Sequence, residues 1–587
     1  MIYIGAFIHD GKSRTVILQI QQVWRYVSNS VGDKNRTQLS SPAECWGIIE
    51  WPRENKKLPR LPVRLAGWAL LGAPVSRVEI VVDGEIQGLA RLGGYRPEVE
   101  TIFPGSPDAI IAGFEYLLDL AKLGDKRSAI TVKAVAYGLN ESRYEISPIT
   151  IRLCRREYFV EDHIKREDET RALSSAKHLG ESSGSRAGIN ILVFTHDLGY
   201  GGAQLYLYEL LRRLSDNDGF TCTVIAPEDG PLRSLFQKLK IRVHLAGKYP
   251  RGNIRKYKRM IEDLLDWAQP HGFNVALVNT VIALPGPEVA TRLGIPFVWA
   301  IHESYEARML WSGTPRRRRR RNARIYIHHR AIEGLRTAAA VVFEADATRI
   351  QYQSYGEPER FITVPYGINI EHVENFRATF RRSKTRERLG IPRDSIAILC
   401  MGTFEPRKAQ IPLVQAFREV VGDHPEAFLI LVGDTGSPYA KAVRSYVASA
   451  ELQDRVLIVP IVSEPYEWYG SADLLVCSSD LESLPRSVLE AMAFELPVLA
   501  TSVFGIPELI KDGETGYLYQ PRDLTSLIKA LRRVLNQDQN ERRELAIRSA
   551  NLVRVHYDSR GYADAYLRMM RGLIENSMGM PRDISLD

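Results

Sequence analysis

Two glutamates, Glu482 and Glu490, stand with seven residues between them in SSDLESLPRSVLEAMAFELPVLAT, and a basic pair, Arg407 and Lys408, falls in MGTFEPRKAQ. Carboxylates accept hydrogen bonds from hydroxyls, which suits a ribose and a hexose ring. With Pro485 in the first turn of a helix and Ser483 as its cap, Glu482 is expected in a loop. Glu490 then lies about 7 to 8 Å along the helix from Pro485, so one ligand could meet both, its phosphates between them. The apolar neighbours of Glu490 (VLEAMAF) predict burial, and a buried carboxylate needs a partner. Arg407 and Lys408 precede a helix expected from about Gln410, where two cations can clamp a diphosphate, the Arg as a fork and the Lys as a point charge. Alone they are more often a solvated pair on a loop. In HDLGYGGAQ, Gly199, Gly201 and Gly202 lie between a strand and a helix, where glycines leave amides free for a phosphate or simply make a tight turn. The spacing is not GxGxxG with a downstream acid, which weighs against a nicotinamide site. His302 and Glu303, in WAIHES, follow a strand, the side of a parallel sheet on which ligands bind, although a lone histidine is more often structural.

These residues need scaffolds that put strand ends together. From Ile189, apolar strands (INILVF, TCTVIAP, NVALVN, IPFVWAIH, AAVVFEA) alternate with helical stretches, as in βαβ units on a parallel sheet covered on both faces. A second series begins near Ser395 (IAILCMG, AFLILVGD, RVLIVP, ADLLVCSS, LPVLATS). Two Rossmann-like α/β domains are therefore expected, over 188–374 and 375–575, with the last helix crossing back. Before them, short β-rich runs over 1–155 read as an all-β sandwich, with Asp83-Gly84 as a hairpin turn. Residues 156–187 are charged, then Ser/Gly-rich, and read as a linker, and 576–587 as a disordered tail.

At 587 residues the chain exceeds one ordinary core, and its 45% hydrophobic and 25% charged residues are those of globular protein. The net charge of +8 is a modest basic bias, consistent with anionic substrates or membrane surfaces and no nucleic-acid signature. Cys45, Cys154, Cys222, Cys400 and Cys477 lie far apart, without a disulfide framework or a zinc pattern. No signal sequence or apolar run of about 18 residues is recognised, so a cytoplasmic location is expected. The six arginines Arg316, Arg317, Arg318, Arg319, Arg320 and Arg321 are either a solvated charge run or a surface for an anionic acceptor or for the inner face of the membrane.

Over about residues 189–575 the chain resembles glycosyltransferase family 4, retaining enzymes of the GT-B fold. Glu482 and Glu490 resemble its paired-glutamate motif, and PVLATSVFGIPELIKDGETGYL its continuation, with Gly505, Glu508, Gly513 and Gly516. MGTFEPRKAQ resembles its basic loop, LGYGGAQ its glycine-rich loop, and VPYGIN the end of its first domain. The resemblance implies that Arg407 and Lys408 neutralise a donor diphosphate, Glu490 holds the ribose, Glu482 contacts the transferred sugar and His302 lies beside the reacting centre. It implies a nucleotide-diphosphate sugar as co-substrate, a glycan or lipid-linked acceptor, front-side displacement with retention and no metal or other cofactor. Two departures stand out. Thr403 occupies the place of an arginine common after Gly402. Pro485 replaces a glycine, so the amides of Leu484 and Arg486, with Gly201 and Gly202, would face the phosphates. Residues 1–155 look like a β-sandwich appended to some bacterial transferases of polysaccharide assembly, as a glycan-binding or an interaction module. Other readings are a phosphorylase, a nucleotide-sugar epimerase, or a non-catalytic binder of nucleotide sugars or polyanions.

Overall fold

A computed structural model describes residues 45–154, 189–305 and 318–577, less a few positions within them. The expected linker, most of the expected tail, the first 44 residues, Arg316 and Arg317 lie outside the described residues.

Among its described residues the first unit has nine strands: β1 (Trp46–Trp51), β2 (Lys56–Leu58), β3 (Pro62–Leu70), β4 (Val75–Val82), β5 (Glu85–Leu89), β6 (Arg91–Gly94), β7 (Gly113–Asp119), β8 (Ala129–Gly138) and β9 (Arg143–Leu153). They form a sheet ordered β1-β3-β7-β6 and a second ordered β2-β9-β8-β4-β5. Side chains alternate along β8, and Ile130, Val132, Ala134 and Ala136 point inward to meet Val63, Leu65 and Phe114 in one buried cluster. Asp83 and Gly84 both have positive φ, 49° and 90°, as a two-residue primed turn between β4 and β5 requires.

The second unit is a seven-stranded parallel sheet ordered β12-β11-β10-β13-β14-β15-β16: β10 (Ile189–Phe194), β11 (Phe220–Ala226), β12 (Arg242–Leu245), β13 (Val275–Asn279), β14 (Phe297–Ile301), β15 (Ala340–Phe343) and β16 (Phe361–Thr363). Strands β13 and β14 are buried along their whole length, as strands with helices on both faces must be. The third unit is a six-stranded parallel sheet ordered β19-β18-β17-β20-β21-β22: β17 (Ile396–Met401), β18 (Ala427–Asp434), β19 (Val456–Pro460), β20 (Leu474–Cys477), β21 (Val498–Thr501) and β22 (Tyr517–Tyr519). In both sheets the chain reverses direction beside its first strand, so each has a switch point, between β10 and β13 and between β17 and β20. Ligands bind at such points, beyond the carboxyl ends of the strands.

The expected division at 374/375 falls inside the helix Ile370–Thr379, which sides with the third unit because Phe376 packs on Tyr466 and Phe494. After β22 the described residues form three helices: Leu524–Asn536, Gln539–His556 and Ser559–Ser577. The last returns to the second unit, where the Tyr562 ring stacks on Tyr206 at 5.1 Å and its hydroxyl donates to the Tyr206 carbonyl.

Candidate active site

Both loops at the switch point of the third unit carry the residues of interest. After β17, Gly402 takes φ 153°, and the short turn Pro406–Lys408 leads through Ala409, at φ 52°, into the helix Gln410–Val420. A left-handed alanine is held there against its own preference, an arrangement the fold must over-determine. After β20, residues 478–485 lead to the helix Arg486–Ala493. Two bonds to backbone carbonyls join the loops: the Ser478 hydroxyl donates to the Lys408 carbonyl at 2.8 Å, and the Asp480 amide to the Arg407 carbonyl at 2.7 Å. Lys408 Nζ also donates to Glu482 Oε1, with Arg407 Nη1 3.8 Å from the same oxygen. The Glu482 side chain is only 10% exposed. Burial alone would raise its carboxyl, but the Lys408 and Arg407 charges outweigh that and hold it below the ordinary value. Arg407 is in turn fixed by Glu405 at 2.9 Å. The basic pair and the first glutamate thus form one preorganised clasp.

Glu490 lies elsewhere in the network. It accepts from Arg486 Nε at 2.7 Å, one turn back on its helix, while Arg486 also donates to Glu209 Oε1 of the second unit at 2.7 Å and to the Tyr366 hydroxyl. Arg486 therefore joins the two Rossmann-like units between two buried carboxylates, and their charges outweigh burial in raising its pKa well above the ordinary arginine value. Glu490 is only 4% exposed, and Arg486 is the partner its burial demanded. The expected cap does not form. Pro485 itself is the N-cap, without a side-chain bond, because the Ser483 hydroxyl is taken by Thr348 across the cleft at 3.1 Å. Leu484 is buried just before Pro485, and Arg486 opens the helix.

In the second unit, the glycine-rich loop leads to the helix Gly202–Ser215, with Gly201 at its N-cap. Space over Gly202 is open, whereas a Cβ on Gly201 would collide with Gln204. His302, just past β14, donates from Nδ1 to Glu344 at 2.6 Å and from Nε2 to Asn279 Oδ1 at 2.7 Å. Since the Asn279 amide nitrogen donates to the Ala203 carbonyl, its oxygen must accept, and a histidine that donates twice is an imidazolium. Burial would lower its pKa, but the Glu344 charge and hydrogen bond, with the Glu303 charge, raise it instead. His302 is a fixed charge in this arrangement, with no nitrogen free to take a proton.

Ser304 and Thr348 carried no sequence signal, because their role lies in a partner far along the chain. Ser304 donates to the Glu482 carbonyl at 3.0 Å and lies 2.8 Å from the Thr348 hydroxyl, continuing the chain to Ser483. Glu508 accepts from the Asp346 and Ala347 amides at 2.9 and 2.7 Å, so the third unit supplies the N-terminal cap of the helix Asp346–Tyr352 in the second. Arg318 to Arg321 begin the helix Arg318–Thr337. Among the described residues no helix is long and apolar enough to cross a membrane.

Residues 200–372 match the family described as Glycosyltransferase Family 4, and residues 381–551 the family described as Glycosyl transferases group 1, together over half of the chain. Similar proteins include the D-inositol 3-phosphate glycosyltransferase of Streptomyces scabiei, 30% identical over 254 residues, 41% of this chain and 55% of that protein. The N-acetyl-alpha-D-glucosaminyl L-malate synthase of Bacillus anthracis is 32% identical over 179 residues, 30% of this chain and 46% of that one. The match thus spans about half the length of each. Among solved structures, Anabaena HepE in complex with UDP-glucose superposes with a TM-score of 0.54 at 19% identity, over 67% of this chain and 100% of that one. Sucrose-phosphate synthase from Thermosynechococcus elongatus gives 0.54 at 20% identity, over 66% and 100%. These likenesses establish the paired-domain GT-B fold.

Proposed function

The chain belongs to the family 4 and group 1 glycosyltransferases, and from that premise we propose that it moves a sugar from a nucleotide-diphosphate donor to a glycan or lipid-linked acceptor, with retention. The observation that carries this reading is the clasp of Arg407, Lys408 and Glu482 at the switch point of the third unit. In the proposed reaction the bond from the anomeric carbon to the diphosphate breaks, and its electron pair stays on the phosphate oxygen. Arg407 and Lys408 meet the charge developing there, so neutralisation is assigned to these side chains rather than to a metal ion. The acceptor hydroxyl forms the new bond on the same face, and its proton passes to the departing phosphate. Glu482, released from Lys408 as the diphosphate arrives, is then placed to accept from a sugar hydroxyl. Glu490 holds the ribose, with Arg486 giving way to it. Leu484 and Arg486 amides, and the open space over Gly202, serve the phosphates.

Two relatives bear names with an anionic component, inositol 3-phosphate and malate. An anionic acceptor, or an anionic membrane carrying it, would suit Arg316 to Arg321, and a role in bacterial surface-polysaccharide synthesis follows from a lipid-linked acceptor. The test is a panel of UDP-, GDP- and ADP-sugars against the full chain, read by thermal shift and by nucleotide release. Acceptor-dependent release with a retained anomer supports the reading. Interconversion of the donor without release would mark an epimerase, and release only with inorganic phosphate a phosphorylase. Co-sedimentation with anionic phosphatidylglycerol vesicles should be lost on deleting Arg316 to Arg321, and unchanged binding would remove the membrane surface from the account.

A further inference from the structure

Besides a Ser76–Thr525 hydroxyl pair at 2.7 Å, the β-sandwich meets the third unit at two further places. At one, Asp108 accepts from Arg418 Nη2 at 3.2 Å and from the Tyr446 hydroxyl at 3.0 Å, while Ile110 and Ile111 enter the apolar cluster of the third unit beside Ile411 and Val414. Gly93, at φ 80°, packs so closely on Ile411 that a Cβ would collide with it. This is a buried, mixed interface rather than a loose tether.

At the other, the edge strand β6 reaches the donor clasp. Arg91 Nε donates to Asp480 Oδ2 at 3.2 Å. Arg522, which follows β22, comes within 3.8 Å of the same oxygen, and its Nη1 donates to the Leu89 carbonyl of the sandwich at 2.8 Å. The Asp480 side chain is 5% exposed, so its charge depends on these two guanidiniums. Asp480 lies two residues before Glu482, and its amide is the one that bonds the Arg407 carbonyl. A contact from the accessory module thus ends on the strut between the two clasp loops.

We propose that Arg91 is a positioning residue for sugar transfer, supplied by the β-sandwich to hold the loop Ser478–Glu482 against the turn Pro406–Lys408. The sandwich is then a constitutive part of the donor site, not a separately acting module. This rests on the donor-site reading above, but the geometry of the loop can be tested without a substrate.

The experiment is hydrogen-exchange mass spectrometry on the ligand-free full chain, comparing wild type, Arg91→Ala and Arg91→Lys, followed by kinetics with whichever nucleotide sugar of the panel the wild type uses. In Arg91→Ala, peptides over 478–484 should exchange about tenfold faster while those over 108–112 stay at the wild-type rate. Arg91→Lys, which keeps the charge, should recover part of the protection. Turnover of Arg91→Ala should fall about tenfold, with Asp480→Asn adding little to it because both act through one contact. Unchanged exchange at 478–484, or equal acceleration at 108–112 showing that the module merely undocks, would overturn the proposal. A wild-type chain that uses no nucleotide sugar would sink the functional reading while leaving the exchange result to stand or fall by itself.

Discussion

Lys408 and Glu482 are each other's partner before any donor arrives, so a diphosphate must take the lysine from the glutamate. Glu482→Gln should therefore tighten the binding of the nucleoside diphosphate several-fold, because Lys408 is no longer neutralised, while lowering sugar transfer at least tenfold. Calorimetric titration alongside turnover checks this, and weaker binding of the diphosphate would contradict the competition. His302 gives a second test. Its folded pKa is raised above the ordinary 6.5, so its stabilising contribution is full below about pH 6.5 and is lost as the pH rises through the folded value. The gap in melting temperature between wild type and His302→Gln should be widest in mild acid and narrow toward alkaline pH, and a constant gap would mean that His302 is neutral. At this scale the sequence points to candidate residues rather than to their pairings. Residue types and spacing singled out Lys408, Glu482 and Glu490, but the partner that burial demanded for Glu490, Arg486, was itself expected only for its amide. Asp480, Glu344 and Glu209 gave no signal, because what makes them matter is a contact from another element.

The elements explain why the motif includes Gly505 and Glu508. Gly505 sits where a Cβ would collide with the Ser483 carbonyl and with Ala345, so it lets the loop bearing Glu482 approach the other domain. Glu508, three residues on, caps the helix Asp346–Tyr352 across the cleft. Glu508→Ala should remove about 1 kcal/mol of stability, the usual scale for a lost helix cap, and loosen the contact between the units. Denaturant unfolding measures the first, and a change indistinguishable from zero would show that the cap is not holding the units together. The strands were legible because buried parallel strands are apolar throughout, and the β4–β5 turn because Asp83-Gly84 can make few others. The Ser483 cap was misread because local pattern favoured it, whereas Thr348, 135 residues away, competes for the same hydroxyl.

Across the whole molecule, three units converge on one clasp. The second unit contributes Ser304, the third the two loops, and the sandwich Arg91. The helix Ser559–Ser577 closes the assembly by stacking Tyr562 on Tyr206, next to His302. None of this convergence is visible in a linear pattern, since it depends on how separately readable units dock. In the proposed reaction the cation at Lys408 carries the charge of a departing nucleoside diphosphate. The most direct measurement is the rate of nucleotide release from the panel donor by wild type and by Lys408→Ala, with the fold of each monitored by circular dichroism. Release by the folded variant should fall by about a hundredfold or more. Release at the wild-type rate would contradict it.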